Sequence, residues 1–155
     1  MGALGEQEVL IRRFNPSDES HCITDEMNPA LTRLRSGALV FDSDDAGEVG
    51  CSAFQVSRLN AATIPCSEVT DEIRTALAMA SAFEVREVEH QEEHPFEAVE
   101  DYWPPAGAGQ GPRIDVAHVL VQEVISFGTS ATRKARSKLA QKFIAVPEDL
   151  DLAAL

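Results

Sequence analysis

Alternating and continuous apolar runs mark the first strands of the chain. Residues Glu8 to Phe14 read EVLIRRF and predict a strand, which the turn-forming sequence at 15–18 ends. Asn28-Pro29 is typical of a helix start and Gly37 of a helix end, so a short helix is expected between them. The helix is predicted at Pro29–Ser36, and a hairpin with strands at Ala38–Phe41 and Gly50–Leu59 is predicted around an acidic turn at 42–47.

Apolar residues after Pro65 recur with the period of a helix. Val69, Ile73, Leu77 and Ala80 lie on one helical face, and acidic residues stand near its start, where the helix dipole favours them. These positions predict a helix from Ser67 to Ala80. Phe83, Val85 and Val88 then suggest a strand.

Residues 91–112 change in character and predict a long loop, acidic at first and then rich in Pro and Gly. The only Tyr and the only Trp, Tyr102 and Trp103, stand beside its acidic residues. Aromatic residues anchor protein interfaces, and acidic residues around them steer a basic partner. The predicted partner-binding residues of this loop are Glu97, Glu100, Asp101, Tyr102 and Trp103.

The C-terminal third contains one predicted strand and one predicted helix. Ile114 to Val121 is apolar on both faces, which predicts a central strand covered on both sides and places the middle of the sheet there. Apolar residues at four-residue spacing predict a helix from Ser130 to Ala145, ended by Pro147. The acidic tail 148–155 is expected to fray.

Together these elements predict a compact α+β domain over residues 1–147, with two main helices packed on one face of a mixed or antiparallel sheet. The chain has 155 residues, enough for one domain with its own core.

The charge of the chain excludes several function classes. There are 13 basic and 26 acidic residues, a formal net charge of -13, which opposes general binding to nucleic acid or to an anionic membrane surface. No apolar run approaches the roughly 18 residues of a membrane-spanning helix, and the first residues lack a signal-peptide pattern. Three cysteines are an odd count without a Cys-x-x-Cys pair, which indicates reduced thiols. A cytoplasmic protein is therefore expected.

The positive charge is concentrated in one segment. Residues 124–147 contain five basic residues and no acidic one, and all three lysines of the chain, Lys134, Lys138 and Lys142, follow one another at four-residue spacing. Such a stripe is either a solvated helix face or a docking surface for an acidic partner or phosphate.

Metal and cofactor sites have little support in the sequence. His90 and His94 are four residues apart, but Pro95 disfavours helical geometry at His94, and a zinc site needs two more ligands. We therefore expect neither metal nor cofactor.

Nucleophilic catalysis is the remaining chemistry to consider. His118 is the best candidate base, for a thiol that the fold would have to bring near it: Cys22, Cys51 or Cys66. Buried cysteines and a hydrogen-bonded core histidine are the alternative. A serine nucleophile has less support, because no Gly-x-Ser-x-Gly sequence is present.

The pattern therefore favours a non-enzymatic interaction or regulatory domain, an acidic component of a bacterial-type assembly that binds a protein partner. The alternative is a small enzyme or nucleotide-binding domain that uses His118, a cysteine and the basic helix 133–142. The two hypotheses differ in whether His118 and a cysteine or carboxylate line one cavity.

Overall fold

Antiparallel strands form a single sheet in the part of the chain that the computed structural model describes, which comprises residues 2–23, 27, 32–43, 49–102 and 113–155. Nine strands are found in these residues, and every pairing between them is antiparallel. The predicted α+β class is confirmed. The strands are β1 (Val9–Phe14), β2 (Cys22–Ile23), β3 (Arg33–Leu34), β4 (Asp42–Ser43), β5 (Val49–Gln55), β6 (Ala76–Ser81), β7 (Phe96–Glu100), β8 (His118–Glu123) and β9 (Ile144–Val146).

The strand order is β2-β3-β9-β6-β1-β5-β8-β7, with β4 paired to β5. The middle of the sheet is therefore at β6 and β1, and the prediction that placed it at residues 114–121 is wrong. Strand β8 is the second strand from one edge of the sheet, next to the edge strand β7. Residues 113–117, which include part of the predicted strand, form a 3-10 turn before β8.

Four α-helices and three 3-10 turns lie between or after the strands within the described residues. No helix there is long and apolar enough to cross a membrane. The α-helices are α1 (Val56–Ala61), α2 (Cys66–Val69), α3 (Ala82–Glu87) and α4 (Thr129–Ala140), and the 3-10 turns are Ser36–Ala38, Arg113–Ala117 and Leu152–Ala154.

The two faces of the sheet bury two separate clusters, because neighbouring residues of a strand point to opposite faces. Leu10 on β1 belongs to the first cluster and Ile11 to the second. Helices α3 and α4 supply residues such as Val85 and Leu139 to the first cluster, whereas α1 supplies Leu59 to the second, together with residues of α2. Helices therefore cover both faces, and the prediction that they pack on one face is wrong.

Strand β1 confirms the first predicted strand, and α4 confirms the helix predicted near the C-terminus. Ala135 and Leu139 of α4 are buried as its spacing predicts. The helix ends at Ala140 rather than Ala145, because residues 144–146 form β9 and pair with β6.

The helix predicted at Ser67–Ala80 is wrong. Helix α2 ends at Val69, and residues 76–81 form β6 in the middle of the sheet, paired with β1 and β9. A strand buried on both faces loses the alternation that identifies strands in a sequence, so its apolar residues also fitted a helical period.

The strand predicted around Phe83 and Val85 is helix α3. Ser81 accepts a hydrogen bond from the Glu84 backbone N–H at 3.0 Å, and the Glu84 carboxylate accepts from the Ser81 N–H at 3.0 Å. This reciprocal capping box begins the helix directly at the end of β6.

Several boundaries between residues 29 and 59 also differ from the prediction. Residues 29–31 of the expected helix lie outside the described residues, and Arg33–Leu34 form β3. The expected strand 38–41 gives way to the turn Ser36–Ala38 and to β4, and residues 44–47 of the acidic turn are not among those described. Strand β5 ends at Gln55, where α1 begins.

Strand β7 lies within the segment 91–112 that the sequence predicts as a loop. Phe96 and Ala98 are buried, and the strand pairs with β8 from Phe96 opposite Glu123 to Glu100 opposite Val119. Residues 103–112, and with them Trp103, are outside the described part of the chain.

The C-terminal tail is packed rather than frayed. Leu152 is buried in the second cluster, and its carbonyl accepts a hydrogen bond from Asn60 Nδ2 at 2.7 Å. The tail therefore covers α1 on this face of the sheet.

Candidate functional site

Ser52 and His118 meet on one face of the sheet, where β5 pairs with β8. Phe54 lies opposite His118 and Ser52 opposite Leu120, so Ser52 and His118 are diagonal neighbours on the same face. The Ser52 Oγ lies 2.9 Å from His118 Nε2. A serine hydroxyl and an imidazole are thus within hydrogen-bond distance on two adjacent strands.

Asp101 lies on the other side of the same imidazole. It follows β7 directly, and its backbone N–H donates to the His118 carbonyl at 3.2 Å, which continues the β7–β8 pairing. The Asp101 Oδ2 lies 2.9 Å from His118 Nδ1. Because a carboxylate only accepts, it assigns the proton to Nδ1 and leaves the Nε2 lone pair to accept from the Ser52 hydroxyl.

The His118 imidazole is packed against its neighbours, whereas the Ser52 hydroxyl is accessible from solvent. The His118 side chain is 16% exposed and contacts the Phe54 ring edge to face, with ring centres 5.7 Å apart. Ser52 itself is exposed. Both residues line a cavity of about 170 Å³. Its other lining residues are Arg12, Arg13, Phe54, Arg74 and Asp115.

Arg12 supports the backbone beneath the serine. Although buried, it donates from Nε and Nη2 to the Ala38 carbonyl at 2.9 and 2.7 Å, and from Nη1 to the Ser52 carbonyl. The buried guanidinium thus has backbone carbonyl oxygens as hydrogen-bond acceptors, which a charge inside the protein requires. Arg12 holds the strand position of Ser52 rather than its hydroxyl.

Arg13 and Arg74 place further positive charge at the cavity. Arg74 Nη2 and Nε lie 2.6 and 2.8 Å from Asp71 Oδ2, and Arg13 Nε lies 3.9 Å from the same oxygen. Burial lowers the pKa of Arg13, and the charge of Arg74 lowers it further. Hydrogen bonds, first from the Arg74 backbone N–H, lower the pKa of Asp71 to about 2. Asp71 is therefore a carboxylate that orients both arginines.

The three cysteines do not join His118. Cys51 is on β5 but belongs to the first cluster, on the face opposite Ser52, and Cys66 donates from Sγ to the Leu150 carbonyl at 3.3 Å. Cys22 is on β2, at the far end of the sheet. Burial raises the pKa of each thiol, which disfavours the reactive thiolate.

The residues predicted to bind a partner at the acidic loop bond within the chain, as far as they are described. Tyr102 donates to Gln55 Oε1 and lies under the Arg58 guanidinium, 3.6 Å from the ring centre. Glu97 pairs with Arg86, and Asp101 pairs with His118. Glu100 ends β7 beside Asp101.

The lysine stripe is only partly helical. Lys134 and Lys138 are exposed on α4, and Lys142 follows the end of the helix. Lys138 Nζ donates to the Glu89 carbonyl at 2.9 Å and contacts His90 Nδ1 at 3.1 Å. One of the three lysines is thus tied to the segment after α3.

His94 lies near Arg86 rather than in a metal cluster with His90. Its Nδ1 is 3.0 Å from the Arg86 carbonyl. Among the described residues, no group of three or more His, Cys, Asp or Glu side chains is arranged to hold a metal ion.

Sequence reasoning identified His118 but not Ser52 or Arg13, and it assigned Asp101 to an interface. Gly-x-Ser-x-Gly describes a serine on a sharp turn between strand and helix, whereas Ser52 lies inside a strand. The available signal was a polar side chain inside β5, between Cys51 and Ala53, both of which are buried. That signal does not identify the residues that Ser52 meets in the fold, because Asp101 and His118 lie far from Ser52 in the chain.

Comparison of this chain with protein-family models, with curated proteins and with solved structures found no match.

Proposed function

We propose that this protein is a small acyl hydrolase in which Ser52 is the nucleophile, His118 the general base and Asp101 the group that orients the base. The observation that supports this proposal is the continuous chain from Ser52 Oγ to His118 Nε2 and from His118 Nδ1 to Asp101, with both distances at 2.9 Å. This order of groups is the one that serine acyl transfer requires.

The first half of the proposed reaction forms an acyl-enzyme. The proposed substrate is an ester. Ser52 Oγ attacks its carbonyl carbon while the hydroxyl proton of Ser52 passes to His118 Nε2. The tetrahedral intermediate then collapses, and the bond from the carbonyl carbon to the leaving oxygen breaks. The leaving alkoxide takes the proton from Nε2 and departs as an alcohol.

The second half returns the enzyme to its starting state. Water donates a proton to His118 Nε2 as its oxygen attacks the acyl carbon. Collapse breaks the bond to Ser52 Oγ, which recovers the proton from Nε2, and a carboxylic acid leaves. Asp101 stabilises the imidazolium in both halves without taking its proton.

The surroundings of the serine suit this chemistry. Arg13 lines the same cavity, so its positive charge contributes to a potential that favours negative charge on a bound substrate. The cavity is smaller than the 300 to 1,000 Å³ typical of drug-sized ligands, which favours a small substrate.

Labelling with a fluorophosphonate tests the nucleophile. An activated serine displaces fluoride from this probe and gains a stable phosphonyl group. We expect one adduct per chain by intact-mass spectrometry, located on Ser52 by peptide mapping. Ser52→Ala should abolish the adduct, and His118→Gln should slow its formation by about 10² or more, because general-base catalysis contributes that much.

Ser17→Ala is the matched control, since Ser17 is an exposed serine in a turn and is not among the residues that line the cavity. It should label at the wild-type rate. Absence of an adduct in the wild type, or an adduct that persists in Ser52→Ala, would overturn the proposal.

Binding of a protein partner, the function that the charge pattern favours, stays a prediction. It is supported by the exposure of Lys134 and Lys138 on α4 and by the net charge of -13. A carboxylate, Asp115, lines the same cavity as His118, which supports the enzymatic alternative instead.

A further inference from the structure

We propose that the substrate of this site contains a carboxylate, which Arg74 binds with the help of Arg13 while the scissile carbonyl lies at Ser52. This inference rests on the proposed function for the role of Ser52. The binding of the carboxylate is a separate statement about the cavity and can be tested without catalysis.

Arg74 is the cation of the cavity best placed to meet a ligand. It lines the same cavity as Ser52 and His118, and its side chain is 44% exposed. Asp71 bonds to its Nε and Nη2 and so orients the guanidinium. A guanidinium has five N–H donors in a planar fork, so this ion pair uses only part of its capacity.

Arg13 adds a second positive charge beside the first. Its guanidinium carbon lies 5.7 Å from the centre of the Phe54 ring, and its Nη1 donates to the Val69 carbonyl at 3.1 Å. Asp71 Oδ2 lies 2.6 Å from Arg74 Nη2 and 3.9 Å from Arg13 Nε, so the two cations share one carboxylate. Two guanidinium groups with one carboxylate keep a positive charge at this end of the cavity, which favours the binding of a further anion.

The remaining charges favour a carboxylate over a phosphate. Asp115 lines the same cavity and opposes a second negative charge on the ligand. The chain as a whole carries -13, which repels small anions from most of its surface. A monoanion in the arginine-lined cavity fits both conditions better than a dianion, and the volume of about 170 Å³ limits it to a short acid.

A pair of esters that differ in one group tests the preference. We expect 4-nitrophenyl hydrogen succinate to be hydrolysed with a kcat/KM at least 10-fold above that of 4-nitrophenyl butyrate, which has a similar acyl chain without the carboxylate. Arg74→Gln should lower the ratio of the two values at least 10-fold. Arg33→Gln, which changes an exposed arginine on β3, should leave the ratio unchanged.

Calorimetric titration of the Ser52→Ala variant with monomethyl succinate, a monoanion, and with inorganic phosphate at pH 8, where it is mainly a dianion, separates this inference from the proposed function. Monomethyl succinate should bind, phosphate should bind more weakly, and a further Arg74→Gln change should abolish binding of monomethyl succinate. A labelled Ser52 together with equal rates for both esters would overturn the inference and leave the function standing. Binding of monomethyl succinate without labelling would do the reverse. Tighter binding of phosphate than of monomethyl succinate, or binding of neither, would overturn the inference.

Discussion

Asp101 contacts His118 through both its side chain and its backbone. Its Oδ2 lies 2.9 Å from Nδ1, its carbonyl oxygen lies 3.3 Å from the same nitrogen, and its N–H donates to the His118 carbonyl at 3.2 Å. The backbone contacts fix the position of the residue, so the carboxylate is presented to the imidazole by the end of β7. The orientation of the proposed base is therefore set by strand pairing.

Asp101→Asn should replace a carboxylate, which can only accept from Nδ1, with an amide of the same size that can also donate to Nδ1 and select the other tautomer. We expect the rate of fluorophosphonate labelling to fall by about 10⁴, the effect of the same change in serine triads. The thermal midpoint should shift little, and Asp101→Glu should restore part of the rate. Asp149→Asn, a change of an exposed aspartate in the tail, is the control. A labelling rate unaffected by Asp101→Asn would separate Asp101 from the chemistry.

Asp71 should make the protein less stable in acid. Its pKa is lowered from 3.8 to about 2, chiefly by hydrogen bonds that include the Arg74 backbone N–H. A lowered carboxyl pKa stabilises the folded state above the unfolded pKa, and this contribution is lost as pH falls from about 4 through 2. Urea unfolding at pH 6, 4, 3 and 2 should show a smaller loss of stability for Asp71→Asn than for the wild type. Parallel curves for the two proteins would contradict this prediction.

The C-terminal tail should contribute to stability through one side chain. Leu152 is 3% exposed, whereas Leu155 is 58% exposed. Leu152→Ala should lower the free energy of unfolding by about 2 to 4 kcal/mol, since it removes buried apolar volume, and Leu155→Ala should change it by less than about 0.5 kcal/mol. Urea denaturation of both variants measures the difference. Equal stabilities would mean that the tail is not packed in solution.

Gly37 should not tolerate a side chain. A Cβ at this position would overlap backbone atoms of Ser20, with the Ser20 carbonyl carbon only 2.9 Å away, whereas a Cβ at Gly5 would meet only the Glu8 side chain at 3.9 Å. Because backbone cannot move aside cheaply, Gly37→Ala should cost about 1 to 3 kcal/mol, and Gly5→Ala less than about 0.5 kcal/mol. Thermal unfolding of the two variants provides the comparison, and a neutral Gly37→Ala would contradict the close approach.

Part of the fold follows from local pattern. The strand at residues 9–14 was recognisable because a turn sequence ends it, and α4 because Ala135 and Leu139 repeat on one helical face. The capping box of Ser81 and Glu84 is also a local feature, three residues apart, although the sequence prediction placed a strand there instead of α3. Such features depend on residues within one turn or strand, so the sequence alone determines them.

Pairing in the middle of the sheet overrode the local pattern elsewhere. Residues 76–81 read ALAMAS, with helix-forming alanines, and they form β6 because β1 and β9 supply hydrogen bonds on both sides. No feature of the segment itself specifies those partners.

The candidate site was decided by the tertiary structure for the same reason. His118 was identified from its residue type, but its partners are Ser52 on β5 and Asp101 directly after β7, two elements that are separate in the chain. Strand register brings the Ser52 hydroxyl to one nitrogen of the imidazole and the Asp101 carboxylate to the other. The sequence contains the three side chains, whereas the antiparallel order β5-β8-β7 places them within hydrogen-bond distance, because only long-range backbone pairing sets which residues become neighbours.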